Sequence, residues 1–135
     1  MLNAYSPYSK FCVGAALRTL DGKIFTGANV ENAAYGSTIC AERMALGNAN
    51  ANGHRMFTMI AIIAKGENFD TTSITAPCGS CRQMLYEASQ VSKRNLEIIM
   101  STTKKDNIGI SSIGELLPNA FGPDDLGIDV EKYRK

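Results

Sequence analysis

The chain has 135 residues, 44% of them hydrophobic and 20% charged, and its formal net charge is +1. That length has room for one compact domain, residues 1–135, of globular composition. The charge excludes a broad nucleic-acid footprint: the short runs Lys93-Arg94 and Lys104-Lys105 read as solvated surface.

The elements follow in chain order. Residues 1–10 are a lead-in in which Pro7, between Tyr5 and Tyr8, acts against a continuing helix. Cys12 to Leu20 reads as a strand, Asp21-Gly22 as a hairpin turn, and Lys23 to Ala28 as the return strand. Asn29 to Thr38, dense in Asn, Gly and Ser, is a loop of the kind that binds ligands. Ser37 or Thr38 is positioned to cap a helix from about Cys40 to Asn50. Phe57 to Ala64 is apolar enough for a strand buried on both faces. After an exposed loop, Glu67 to Ala76, a second helix begins near Cys78 or Gly79 and runs to about Gln90. Leu96 to Ser101 and Ile108 to Ile113 are further strands, with a helical turn over Gly114 to Leu117 and a polar tail from Asp124. Strands alternating with two helices predict an α/β fold, a three-layer α/β/α sandwich on a mixed sheet of about five strands.

No membrane-length apolar run and no signal peptide is visible, since Met1 leads straight into polar, turn-forming sequence. Four cysteines could pair as two disulfides in a secreted protein. The Cys-x-x-Cys spacing of Cys78 and Cys81 without an export signal favours metal-binding thiols, so a cytoplasmic location is expected.

Cys78 and Cys81 have the spacing at which two side chains on a helical turn converge on one metal, and Cys40 can complete the set if the fold joins the two helix starts. Three protein ligands leave one tetrahedral position open, as at a catalytic zinc. A closed structural site would need a fourth ligand, and a redox pair would leave Cys40 and Glu42 without a part. Cys12 lies in a strand pattern and reads as core; His54, the lone histidine, reads as surface. Glu42, two residues past Cys40, is placed to move protons on water at the metal. Three thiolates with Zn²⁺ carry one net negative charge. Arg43, on the same helical face as Cys40, can offset it by donating to sulfur, aided by the positive helix N-termini. Asn29 and Glu31 alternate with Val30, so their side chains can point to one side.

The run Cys40-Ala41-Glu42 followed by Pro77-Cys78-Gly79-Ser80-Cys81 resembles the zinc-dependent nucleobase and nucleoside deaminases, whose signature includes a three-cysteine form. Tyr5 to Phe11, Val13 to Leu17, Phe25 to Gly27, Asn29 to Ala33, Leu116 to Pro118 and Ala120 to Pro123 narrow the resemblance to the small cytidine deaminases. In that family a longer helix precedes this point; only Met1 to Ala4 could correspond to its end here.

The resemblance implies hydrolytic deamination of cytidine and 2′-deoxycytidine in pyrimidine salvage, with one Zn²⁺ per subunit. Glu42 would take a proton from water, deliver it to ring nitrogen 3 and help protonate the departing amine. It implies that Phe11 packs on the pyrimidine, that the Ala41 N–H and the Ala76 carbonyl contact the base, and that Asn29 and Glu31 hold the ribose. It also implies a homotetramer in which Ala33, Tyr35 and Phe121 reach across subunit interfaces; intrachain packing is the other reading of those residues. Deamination of a blasticidin-type nucleoside is disfavoured by Asn29-Val30-Glu31-Asn32, which looks built for a free ribose. A nucleic-acid deaminase would need a basic surface and stacking aromatics. A non-catalytic zinc protein would have no use for Glu42 and an open ligand position.

Overall fold

Alternation along the strands builds one buried face. The computed structural model describes residues 1–134. In β1 (Phe11–Thr19) Ala15, Leu17 and Thr19 are buried, whereas Arg18, pointing the other way, is exposed. β2 (Ile24–Ala28) returns antiparallel after the Asp21-Gly22 turn, where Gly22 takes φ of 86°. β3 (Phe57–Gly66) pairs antiparallel with β1, setting Leu17 opposite Ile60 and Ala15 opposite Ile62. β4 (Glu97–Ser101) runs parallel to β3, with Ile98 beside Ile60 and Met100 beside Ile62. β5 (Ile108–Ser112) closes the order β2-β1-β3-β4-β5. A parallel neighbour needs a crossover, and the intervening helix supplies it.

That helix, α2 (Gly79–Ser92), and α1 (Ala41–Ala51) pack on the same face of the sheet. Leu17, Ile60, Ile98, Leu85, Leu96 and Ile113 form one cluster with Ala41, Ala45 and Ala49. Burying each of the larger side chains stabilises by roughly 1.5–3 kcal/mol. The short α3 (Ile113–Leu116) is held by a capping box between Ser112 and Glu115. The α/β class and the five-stranded mixed sheet are as expected, and each expected strand and helix forms with ends shifted by at most two residues.

The opposite face carries Met59, Ala61, Ile63 and Ile99 half-buried and Ile24, Ile108 and Ile110 exposed. Helix packing therefore falls on one side of the sheet among the described residues. At Gly14 the chain start covers the other side, since a Cβ there would stand 2.6 Å from the Met1 nitrogen. No helix among the described residues is long and apolar enough to cross a membrane.

Two local differences from the sequence reading have simple causes. Val30 and Ile39 exchange both backbone hydrogen bonds at 2.9 Å, which keeps the chain extended through Ile39. The N-cap of α1 is therefore Cys40, and neither Ser37 nor Thr38 caps it. The loop and tail also hold single 3₁₀ turns, Tyr35–Ser37, Pro123–Leu126 and Glu131–Tyr133.

Where α1 meets β2, the alanine stripe and Gly27 let backbone approach backbone. A Cβ on Gly27 would collide with the Ala41 carbonyl and the Ala45 nitrogen. Gly27→Ala should therefore destabilise by ~3 kcal/mol, the upper end of overpacking costs. Gly47→Ala, on the open side of α1 with nothing within 4 Å of the new methyl, should stabilise by about 1 kcal/mol. Denaturant unfolding of both variants checks the contrast. Equal shifts of the same sign would remove Gly27 from this contact.

Candidate metal centre

The two long helices start side by side. Cys40 and Cys78 are their N-cap residues, both with extended backbone, and neither makes a side-chain cap bond. Cys81 lies in the first turn of α2 and is fully buried; Cys78 is exposed and Cys40 half-buried. The three Sγ atoms lie within 4.8 Å of one another, with Cys40 and Cys78 at 3.9 Å. Two sulfurs about 2.3 Å from one tetrahedral zinc stand ~3.8 Å apart, so the donor set fits that ion. Cys12, which meets Ser6 Oγ at 3.3 Å, and His54, beside Lys23 and Phe25, do not join the trio.

Charge is tightly balanced here. Burial pushes the Glu42 carboxyl up, partly opposed by its own backbone N–H, by Cys81 and by Arg43; Glu42 is only 4% exposed. Burial also pushes the Cys81 thiol up, with the Glu42 charge adding to it. At Cys78 burial acts upward, but the Cys81 backbone N–H and bonds to Cys81 and Cys40 outweigh it, so the net direction is down. A divalent cation relieves this crowding of negative charge. Arg43 Nη2 donates to the Thr38 carbonyl at 2.9 Å and reaches Cys40 Sγ at 3.8 Å, while its Nε is buried without a partner. The bond to Cys40 holds the guanidinium pKa above its usual value.

The other sequence-selected residues fall into three groups. Ala41, the first residue of α1, is fully buried beside Glu42. Asn29 is 8% exposed and locked to β1: its Oδ1 accepts from the Val13 N–H at 2.8 Å and its Nδ2 donates to the Phe11 carbonyl at 3.0 Å. Its carboxamide thus sets the start of β1, where Phe11 stands. Glu31 Oε2 accepts from the Tyr8 and Ser9 N–H groups at 2.9 and 3.2 Å. The Ser9 side chain leads the causes that hold this carboxyl below its usual range. Tyr8, Ser9, Glu31, Tyr35 and Thr38 line a recess of about 260 Å³, with Tyr35 edge-on to Tyr8 at 5.6 Å. Tyr35 and Phe121 are 73% and 59% exposed, and Ala33 is exposed as well.

Sequence reasoning missed the part of Tyr8, Ser9 and Thr38 in this recess, where their backbone groups bind Glu31 and Arg43. It also missed Arg82 and Gln83. Arg82 had a readable sign, because a cation in the first turn of a helix opposes the macrodipole unless it finds acceptors elsewhere.

Residues 1–96 match the family described as the cytidine and deoxycytidylate deaminase zinc-binding region. The cytidine deaminase of Sporosarcina psychrophila is 42% identical over 129 residues, covering 96% of this chain and 88% of that protein. The cytidine deaminase of Halalkalibacterium halodurans is 42% identical over 123 residues, covering 91% and 86%. Among solved structures, cytidine deaminase from Burkholderia pseudomallei superposes with a TM-score of 0.78 at 47% identity over 89% of each chain. That from Mycobacterium tuberculosis gives 0.70 at 36%, covering 90% of this chain and 87% of the other.

Because Cys40, Cys78 and Cys81, which could hold one metal ion, join the start of α1 to that of α2, metal bound there should contribute to folding stability. Stripping zinc with a chelator should lower the thermal midpoint, and adding it back should restore it. A site kept at a hundred times its dissociation constant adds about 2.7 kcal/mol. An unchanged midpoint with zinc demonstrably gone would separate the metal from the fold.

Proposed function

The chain belongs to the cytidine and deoxycytidylate deaminase family, whose members are zinc-dependent hydrolytic deaminases, and from that premise we propose a specific reaction. The chain, as one domain, converts cytidine and 2′-deoxycytidine to uridine and 2′-deoxyuridine with release of ammonia, in pyrimidine salvage in the cytoplasm. The observation that carries this reading is the convergence of Cys40, Cys78 and Cys81 beside the buried Glu42.

Cys40, Cys78 and Cys81 would hold the zinc, which would supply the charge that lets water act as a nucleophile near neutral pH. Glu42 takes the first proton from that water and passes it to ring nitrogen 3 as oxygen adds at carbon 4. It then carries the second proton of the same oxygen to the amino group, and ammonia leaves. Burial suits this work: a carboxyl pushed up by desolvation holds a proton more readily, which brings it closer to a shuttle's needs. Arg43 offsets the surplus thiolate charge.

Phe11 packs on the pyrimidine, the Ala41 N–H donates to the base and the Ala76 carbonyl meets the amino group. Asn29 and Glu31 hold the ribose. Two details support that pairing: Asn29 uses only one Nδ2–H on Phe11, and the bonds of Glu31 fall on Oε2, leaving Oε1 for a hydroxyl. The chain works as a homotetramer in which Ala33, Tyr35 and Phe121 complete a neighbour's pocket. The exposure of both aromatics supports this part of the reading.

Following the loss of cytidine absorbance, with zinc measured on the same sample, tests the function directly. Glu42→Gln should keep zinc and fold and lose roughly 10²–10⁴-fold or more in rate, because an amide cannot shuttle protons. Near-normal turnover with intact zinc would sink that assignment. Glu31→Gln should impair nucleoside turnover far more than any activity on free cytosine, by about 1.5–3 kcal/mol in transition-state binding. Equal effects on base and nucleoside would move Glu31 out of the ribose pocket.

A further inference from the structure

Cys78 is the metal-facing cysteine that packing holds least. Cys81 is fully buried and Cys40 half-buried, but Cys78 is exposed at the very start of α2. Something other than burial has to fix its direction.

The side chain that does so comes from the next turn. Arg82 curls back along its helix, and its Nε–H donates to the Pro77 carbonyl at 2.8 Å. Its backbone N–H donates to the Cys78 carbonyl at 2.9 Å. One residue therefore grips the carbonyls on both sides of the Cys78 α-carbon. The Pro77 carbonyl shares a rigid plane with the Cys78 nitrogen, and Pro77 is itself buried with its φ set by the ring. With that plane held, the Cα–Cβ direction of Cys78 is held too.

The same guanidinium reaches a second segment. Its Nη1 donates to the Leu116 carbonyl at 2.8 Å, at the end of α3. The next residue, Gln83, donates Nε2 to the Phe121 carbonyl at 2.8 Å. A planar fork with donors at fixed angles can bridge Pro77 and Leu116 at once; a single ammonium cannot.

We propose that Arg82 is a positioning residue that orients Cys78 for zinc and ties the metal loop to the segment carrying Phe121. Gln83 serves that segment alone. The inference rests on Cys40, Cys78 and Cys81 being the zinc ligands, and it assigns Arg82 no contact with substrate.

Zinc dissociation constants measured by competition with a chromogenic chelator, with circular dichroism on each sample, test it. Arg82→Met should weaken zinc binding by roughly 10–100-fold while the helical signal is kept, as for loss of a residue that orients a ligand. Arg82→Lys should fall between that variant and the wild type. Gln83→Leu should stay within about twofold of the wild type in zinc affinity, as expected for a separate contact, and raise KM for cytidine.

Wild-type zinc affinity in folded Arg82→Met would overturn the proposal. So would equal losses in Arg82→Met and Gln83→Leu, which would indicate general loosening. If Arg82→Met does not fold, Arg82→Lys decides: undiminished affinity there overturns the proposal. Cys78→Ser separates the premise from the inference. Wild-type zinc affinity in that variant would remove the three-thiolate ligand set, whereas its loss with Arg82→Met unaffected would remove only the role of Arg82.

Discussion

The meeting of two helix N-termini governs the chemistry of this chain. Cys40 and Cys78 stand at N-cap positions with their sulfurs 3.9 Å apart, and Cys81 closes the group from the first turn of α2. The arrangement requires both helices to lie on one face of the sheet and to begin at the same end. The parallel β3–β4 pair requires α2 as its crossover, while the contact of Gly27 with Ala41 and Ala45 presses α1 against β2. The helix N-termini then direct positive potential at the three sulfurs.

A second constraint is the opposition of burial and charge. Glu42 and Cys81 are both removed from water, and each is pushed towards its neutral form. Arg43 works the other way, beside Cys40 and tied to the Thr38 carbonyl. The same bond joins the metal centre to the loop of Asn29 and Glu31, because Thr38 also accepts from the Asn32 N–H through its hydroxyl at 3.3 Å. The three cysteines and that loop thus share a mechanical link.

Asn29 ties the loop after β2 to the start of β1. Its carboxamide closes the start of β1 through Phe11 and Val13 and keeps one donor free. Glu31 does the same for the lead-in, pinning the Tyr8 and Ser9 backbone with one oxygen. The recess by Tyr8 and Tyr35 is therefore built from loops stitched to one another by side chains.

Much of this was legible in the residues. The strand positions, the Asp21-Gly22 turn and the Cys-x-x-Cys spacing are local signals, and local signals survive in a sequence. The expected burial of Phe57 to Ala64 on both faces does not hold, because both long helices pack on one face and Met59, Ala61 and Ile63 stay half-buried. The helix start near Cys40 was legible but its cap was not, because the Val30–Ile39 bridge that holds Ser37 and Thr38 away from the helix pairs residues far apart in the loop. Gln83 was overlooked for the same reason: its acceptor, the Phe121 carbonyl, comes from a distant segment, as does the Leu116 carbonyl that Arg82 reaches besides the nearby Pro77 carbonyl. The placement of α1 and α2 on one sheet face was likewise settled by packing, since a helix's apolar stripe says that it must be covered and not from which side. The sequence by itself determined the donor types and their spacing. Tertiary structure alone decided which donors meet, because backbone carbonyls look identical in every residue until the fold selects one.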